Sequence, residues 1–464
     1  MQKMATLLIQ NGQLVTEEGL ERRDILIEEG TIREIRPTRL QAYSPTGLET
    51  FDATNLLIFP GLIDCHVHFR EPGKTDAEDM QTGAAAAIAG GITTVCEMPN
   101  TDPPTCTVKA LEDKIARAKE IRDERSAIRN VDIRFFFGVT KKEHLEELKK
   151  VKRENMCGVK LYLGHSTGNQ KIEEGIEEDV FRICRERGIP VVCHCEDEGI
   201  IQKNRGLGLG FGIEAHSKIR SVEAAVASTA LALALAQKHG THLHIAHLST
   251  KDELDLVRRA KSAGLPITCE VAPHHLFLSI DDYKTLGTLA KMNPPLRTPD
   301  HCEALWQGIL DGTVDCLATD HAPHTLESKL SGVEAPLEAP SGVPGVETMV
   351  PLLLSCMNGG PRDIQGVCRG APSGRPDEGE SSLGQPKGPP LQPSDLLRLL
   401  FTNPNKIFSL GKPGITPSKA TTLTLVNPLA KWKIEGAKLH SKTKWTPYEG
   451  WQVQGKVERV IGIE

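Results

Sequence analysis

Residues 58–68 read Ile58-Phe59-Pro60-Gly61-Leu62-Ile63-Asp64-Cys65-His66-Val67-His68, an apolar run that ends on two histidines one residue apart. Alternation along a strand places both imidazoles on one face. Seven further runs of this kind follow: Gly91–Met98, Val131–Val139, Gly158–Leu163, Ile189–Cys195, His242–Leu248, Ile267–His275 and Val314–His321. Helical stretches lie between them, among them Val108–Arg122, Lys142–Arg153, Glu177–Glu186, Val222–Lys238, Lys251–Ala263 and Asp300–Leu310, with Gly188, Gly240 and Gly264 as stop signals. Short apolar strands alternating with helices predict an α/β protein with a parallel sheet, and eight such strands predict a (β/α)8 TIM barrel.

Outside these runs the pattern changes. Residues 1–57 carry short alternating segments, Ala5–Gln10 and Asp24–Glu28, beside the turn signals Asn11-Gly12 and Glu29-Gly30. Alternation returns in the tail at Thr422–Val426 and Lys456–Ile463. The expectation is a small β-sandwich made jointly by residues 1–57 and 411–464, with the barrel at 58–410. Residues 357–393 are rich in Gly and Pro and poor in apolar side chains, and they read as a flexible insertion.

Composition narrows the function. The chain has 464 residues, 25% charged and 39% hydrophobic, with a formal net charge of -6. Nothing in that balance suits nucleic acid or an anionic membrane surface, so a small-molecule ligand is expected. The opening MQKMATLLIQNG has no long apolar region, so a cytoplasmic location is expected. The Ala/Leu-rich stretch Ala224–Ala236 is too short to span a bilayer and reads as a buried helix. The twelve cysteines are scattered without C-x-x-C pairs and read as reduced, buried thiols, Cys193, Cys195 and Cys269 included.

Chemistry collects at the strand ends. The fifth run ends on His194, with the two flanking cysteines on the opposite face; the sixth ends near His247, and the eighth on Asp320 and His321. Any one of these residues alone is more often a hydrogen-bonded structural side chain. In a (β/α)8 barrel, however, the C-terminal strand ends converge on one mouth, so His66, His68, His194, His247 and Asp320 should meet there. Imidazole and carboxylate ligands suit zinc. Four histidines and a carboxylate exceed the needs of one catalytic zinc, which points to two metals and an anionic bridge. Lys160, in the apolar fourth run, faces that mouth; it must reach solvent, find an acidic partner, or be neutralised or converted.

These residues resemble the amidohydrolase superfamily, and within it the dihydroorotases. The matching stretches are PGLIDCHVHFREPG (60–73), AGGITTVCEMPNTDPP (89–104), GVKLYL (158–163), ITCEVAPHHLFLS (267–279), MNPPLR (292–297) and ATDHAPHTLESK (318–329). The resemblance implies that carbon dioxide converts Lys160 to N6-carboxylysine, whose carbamate bridges two zinc ions. One zinc is then held by His66, His68 and Asp320, the other by His194 and His247, with Asp320 as proton shuttle. It assigns Arg70, Asn100 and His324 to a substrate carboxylate, Asn293 to the pyrimidine ring and Ser341 to a loop beside it. The implied reaction interconverts N-carbamoyl-L-aspartate and dihydroorotate in pyrimidine synthesis, by a homo-oligomer able to associate with aspartate transcarbamoylase. Two rivals stand beside it. An allantoinase or hydantoinase shares the metals, but its substrate offers no ring carboxylate to Arg70. A silent scaffold for aspartate transcarbamoylase would be expected to have lost ligands that this chain keeps.

Overall fold

The computed structural model describes residues 6–38, 49–123, 130–166, 170–208, 212–357 and 391–462. The insertion expected over 357–393 lies almost wholly outside the described residues. Both ends of the chain contribute to one mixed sheet, built from β1 (Leu7–Thr16), β2 (Gly19–Glu28), β3 (Thr31–Pro37), β4 (Glu49–Asp52) and β5 (Leu57–Pro60), together with the two tail strands described below. The Glu29-Gly30 signal is a tight β2–β3 connection, with φ of 49° and 69° at those residues. Asn11-Gly12 is not a turn. It lies inside β1, where the register slips between Ile9 and Gly12 and Asn11 takes φ 63°, the mark of a bulge that bends the strand.

The first apolar run divides at Gly61. Its opening residues form β5, which belongs to the terminal sheet; the remainder is β6 (Leu62–Val67), parallel to β7 (Ile92–Glu97), which pairs in turn with β8 (Asp132–Phe135). A second parallel sheet runs β9 (Phe137–Gly138), β10 (Val159–Tyr162), β11 (Val191–His194), β12 (Leu243–Ile245), β13 (Ile267–Val271) and β14 (Cys316–Leu317). Backbone bonds join the two sheets at both borders. At one, Phe136 N donates to Glu97 O at 2.9 Å while Phe137 N donates to Gly158 O at 3.0 Å; at the other, His68 N donates to His321 O at 2.7 Å.

Strands β6, β7, β10 and β11 are buried along their whole length, as parallel strands covered on both faces should be. The helices lie where 3.6-residue periodicity and caps put them. Val222–His239 starts at Ser221, whose side chain accepts from Ala224 N, and stops at Gly240, left-handed at φ 67°. A helix at Met80–Ala89 has no counterpart in the sequence-based expectation, because its alanine-rich stretch carries almost no amphipathic contrast.

The tail closes the terminal sheet: β15 (Leu423–Lys433) pairs antiparallel with β5 and with β16 (Gln452–Ile461). Ile9, Ile25, Ile32, Ile58, Leu423 and Ile461 meet in the sheet's own apolar cluster. A separate cluster joins tail residues Ile434, Trp445, Tyr448 and Trp451 to Met292, Leu296 and Val343, beside the mouth of the parallel strands. The mouth therefore rests on two supports, the strand core beneath the histidines and this tail-built cluster beneath the loops.

Candidate metal and substrate site

The buried side chains of His66, His68 and Asp320 converge: His66 Nε2 lies 3.4 Å and His68 Nε2 3.0 Å from Asp320 Oδ1. His194 Nδ1 is 3.1 Å from His247 Nε2, and the His66 and His247 ring centroids are 5.2 Å apart, so the two groups adjoin. Lys160 is paired in register with Val192, two residues before His194; its Nζ is buried and without a hydrogen-bond partner among the described residues. Burial holds this amine below its ordinary range, against the pull of Glu270 and Asp320. For Asp320 burial works against ionisation, but the charge of His66 and the hydrogen bond from His68 hold its carboxyl well below the usual range. Burial lowers His68 to about 4, so its ring is a neutral potential ligand. His66, His68, His194, His247 and Asp320 line one cavity together with Arg70, Asn100, Asn293 and Ser341.

Backbone strain gathers at this mouth. Arg70, His247 and Asp320 have φ of 61°, 36° and 47°, left-handed values that residues with a Cβ rarely adopt and that cluster at functional sites. Buried Arg70 donates from Nε to Pro323 O at 3.1 Å, and its Nη2 lies 3.1 Å from His324 Nε2. Burial and then the Arg70 charge depress His324 to about 2, so it faces the guanidinium as a neutral ring. Its Nε2 is also 3.0 Å from Ser341 O, and Trp445 of the tail donates to His324 O at 2.7 Å. Asn293 Oδ1 is held at 3.0 Å by His216 Nε2.

Residues 57–357 match the amidohydrolase family model. Curated dihydroorotases align with nearly the whole chain: those of Geobacter metallireducens and Methanosarcina mazei are each 34% identical, covering 97% and 96% of this chain and 96% and 91% of their own. The chain belongs to the dihydroorotases of the amidohydrolase family. The dihydroorotase of Halobacterium salinarum, 36% identical, covers 92% of each chain. Among solved structures, L-hydantoinase from Arthrobacter aurescens superposes with a TM-score of 0.82 at 25% identity over 99% of this chain and 96% of its own. D-hydantoinase from Thermus sp. superposes with a TM-score of 0.80 at 26% identity, over 98% and 94%.

Membership in a hydrolase family gives meaning to three carboxylates that the sequence reading passed over. Glu270 accepts from His244 Nε2 at 3.1 Å and from His247 N at 3.2 Å, and it is bonded to His66 Nδ1. Glu196 lies 2.8 Å from His194 Nε2 and is ion-paired with Arg220. Asp64 accepts from Thr319 N at 3.0 Å and from the Thr319 hydroxyl, tying the first parallel strand to the last; burial raises its carboxyl to about 7. With His68 Nδ1 lying 2.5 Å from Asn100 Oδ1, three of the four histidines have one ring nitrogen engaged and the other turned toward the cluster. A polar partner on the far nitrogen is the usual mark of a metal-binding imidazole, since it fixes tautomer and ring orientation. Asn100 therefore positions a candidate ligand as well as lining the cavity. The one available signal was the carboxylate itself: Glu270 and Asp64 each stand within a buried strand, where an unpaired charge is prohibitive. Among the described residues no helix is long and apolar enough to cross a membrane.

Proposed function

We propose that this chain is a dihydroorotase, interconverting N-carbamoyl-L-aspartate and dihydroorotate in pyrimidine synthesis. The observation that carries the reading is buried Arg70 lining the same cavity as the histidine and aspartate cluster. A buried guanidinium calls for an anionic partner, and the dihydroorotate carboxylate matches its two-pronged geometry. Allantoin and hydantoins have no ring carboxylate, so they would leave the fork unmatched; this favours dihydroorotase over the hydantoinases that share the fold. The two joined parallel sheets are read as the (β/α)8 barrel at 58–410, with residues 1–57 and 411–464 as its β-sandwich companion.

The donor set fits two zinc ions. His66, His68 and Asp320 would hold one and His194 and His247 the other, with Lys160, as its carbamate, between them. The orphaned Lys160 Nζ supports this, since it is buried without a partner among the described residues. Bound zinc supplies a polarised ring carbonyl and water acidic enough to attack it near neutral pH. Arg70, His324 and Asn100 fix the carboxylate and Asn293 and Ser341 the ring, which fixes the ring amide's orientation in the cavity. Asp320, held ionised, takes the proton of the attacking water and returns it to the ring nitrogen as the C–N bond opens.

Purified protein should turn over dihydroorotate and leave allantoin and hydantoin untouched when the three are assayed side by side. Turnover of allantoin or hydantoin without dihydroorotate would refute the assignment. Zinc near zero after gentle purification would favour the silent scaffold.

A further inference from the structure

Tyr162 closes β10, is 4% exposed, and its phenol oxygen has no hydrogen-bond partner among the described residues. Two residues beyond Lys160 on the same strand, it shares the lysine's face, and the Lys160 Nζ lies 5.1 Å from its ring centroid. Its ring is 5.7 Å from that of His194, and its side chain lines the cavity shared by Arg70 and Asp320. A buried hydroxyl without a partner destabilises a fold, and phenylalanine would fill the same space without that cost.

No acceptor of the protein is bonded to this phenol among the described residues, and the nearby carboxylate and amide oxygens have partners of their own on one oxygen each. Asp320 Oδ1 faces His66 and His68, Asn100 Oδ1 faces His68, and Glu196 Oε2 faces His194 and Arg220. The orphaned nitrogen of Lys160 is accounted for by the metal reading, whereas a phenol that is protonated at neutral pH is a poor zinc ligand and a good donor. What it can donate to is an oxygen that enters with the substrate.

We infer that Tyr162 is a further substrate-contacting residue, its hydroxyl donating a hydrogen bond to an oxygen of the cyclic amide held between Arg70 and the metal ligands. This rests on the dihydroorotase reading. It adds a neutral donor from β10 to the charged and amide groups proposed to hold the substrate.

Tyr162→Phe in the full-length, zinc-loaded protein tests it. The variant should lose about 10- to 100-fold in kcat/KM for dihydroorotate, the loss expected of one buried hydrogen bond. Its zinc content should equal the parent's, and its melting temperature after zinc removal should be unchanged or higher, since an orphaned hydroxyl has gone. A kcat/KM equal to the parent's overturns the inference. So does loss of a zinc equivalent, which would place the hydroxyl on the Lys160 bridge, and so does a lower melting temperature, which would make it structural. The parent's own turnover separates the two claims: with parent activity present, an unaffected variant overturns Tyr162 alone; with none, the dihydroorotase reading falls and the inference with it.

Discussion

Replacing Lys329 by methionine should weaken substrate binding while leaving the metals in place. Its Nζ is fully buried and donates to three carbonyls, Lys291 O at 2.9 Å, Pro340 O at 3.0 Å and Gly342 O at 3.0 Å, while lying 5.7 Å over the Trp445 ring. Burial, and then the charges of Lys291 and Arg70, push this amine well below its ordinary range. Lys291 O also accepts from Gly342 N at 2.9 Å and keeps a donor in the variant, so the Pro340 and Gly342 carbonyls bear the loss. A buried carbonyl without a donor costs about 1–3 kcal/mol, and methionine packs well on Trp445, so a net loss of about 2–3 kcal/mol is expected. That loss falls on the two residues that flank Ser341. The loop has no slack to absorb it: Gly342 sits at φ 137°, and a Cβ there would come 2.4 Å from Ala322 O. The expected result is a KM for dihydroorotate raised about tenfold, a lower melting temperature, and zinc content equal to the parent's. Steady-state kinetics, a melting curve and metal analysis on one preparation would show it. Parental KM and melting temperature together would refute the argument that this lysine braces the substrate loop.

Other consequences follow from the same geometry. Arg70→Met should raise KM for dihydroorotate about 100-fold with zinc content unchanged, since its proposed role is to hold the substrate carboxylate and not a metal; initial-rate measurements beside metal analysis would check it. Glu270→Gln should weaken zinc binding about 10- to 100-fold, because His66 loses the carboxylate that orients it, and a competition titration with a chelator measures this directly. Acid should destabilise the fold. Burial depresses His216 to about 3 and His242 to about 4, whereas both titrate near 6.5 in the unfolded chain. The unfolded state therefore takes up protons first: the stability tied to these neutral rings is complete above about pH 6.5 and declines as pH falls toward 4 and 3. Melting temperatures measured from pH 7.5 down to 5 should drop; a flat profile would count against both assignments.

Local sequence went far here because alternation and helical periodicity act over a few residues. The eight runs, the two histidines of 66–68 on one face, and the polar side chain that ends each of several apolar strands are all short-range facts, and each was legible. Strand lengths were not. Ile267–His275 becomes the strand Ile267–Val271 followed by a helix at Pro273–Phe277, and Val314–His321 is a strand only at Cys316–Leu317, with isolated bridges at His321. At the mouth the chain leaves the ladder to aim its side chains, as the left-handed φ at His247 and Asp320 records. Such departures from regular geometry are set by neighbouring loops, not by residue preference.

The sequence by itself thus determined which residue types would stand at the mouth and the chemistry they could perform. Only the tertiary structure decided what holds them. His66 meets Glu270 across 204 positions, Asp64 meets Thr319 across 255, and Trp445 of the tail reaches His324 across 121. A local pattern carries no trace of these pairings, because a buried carboxylate or indole shows its partner only once the strands and the tail have closed around it.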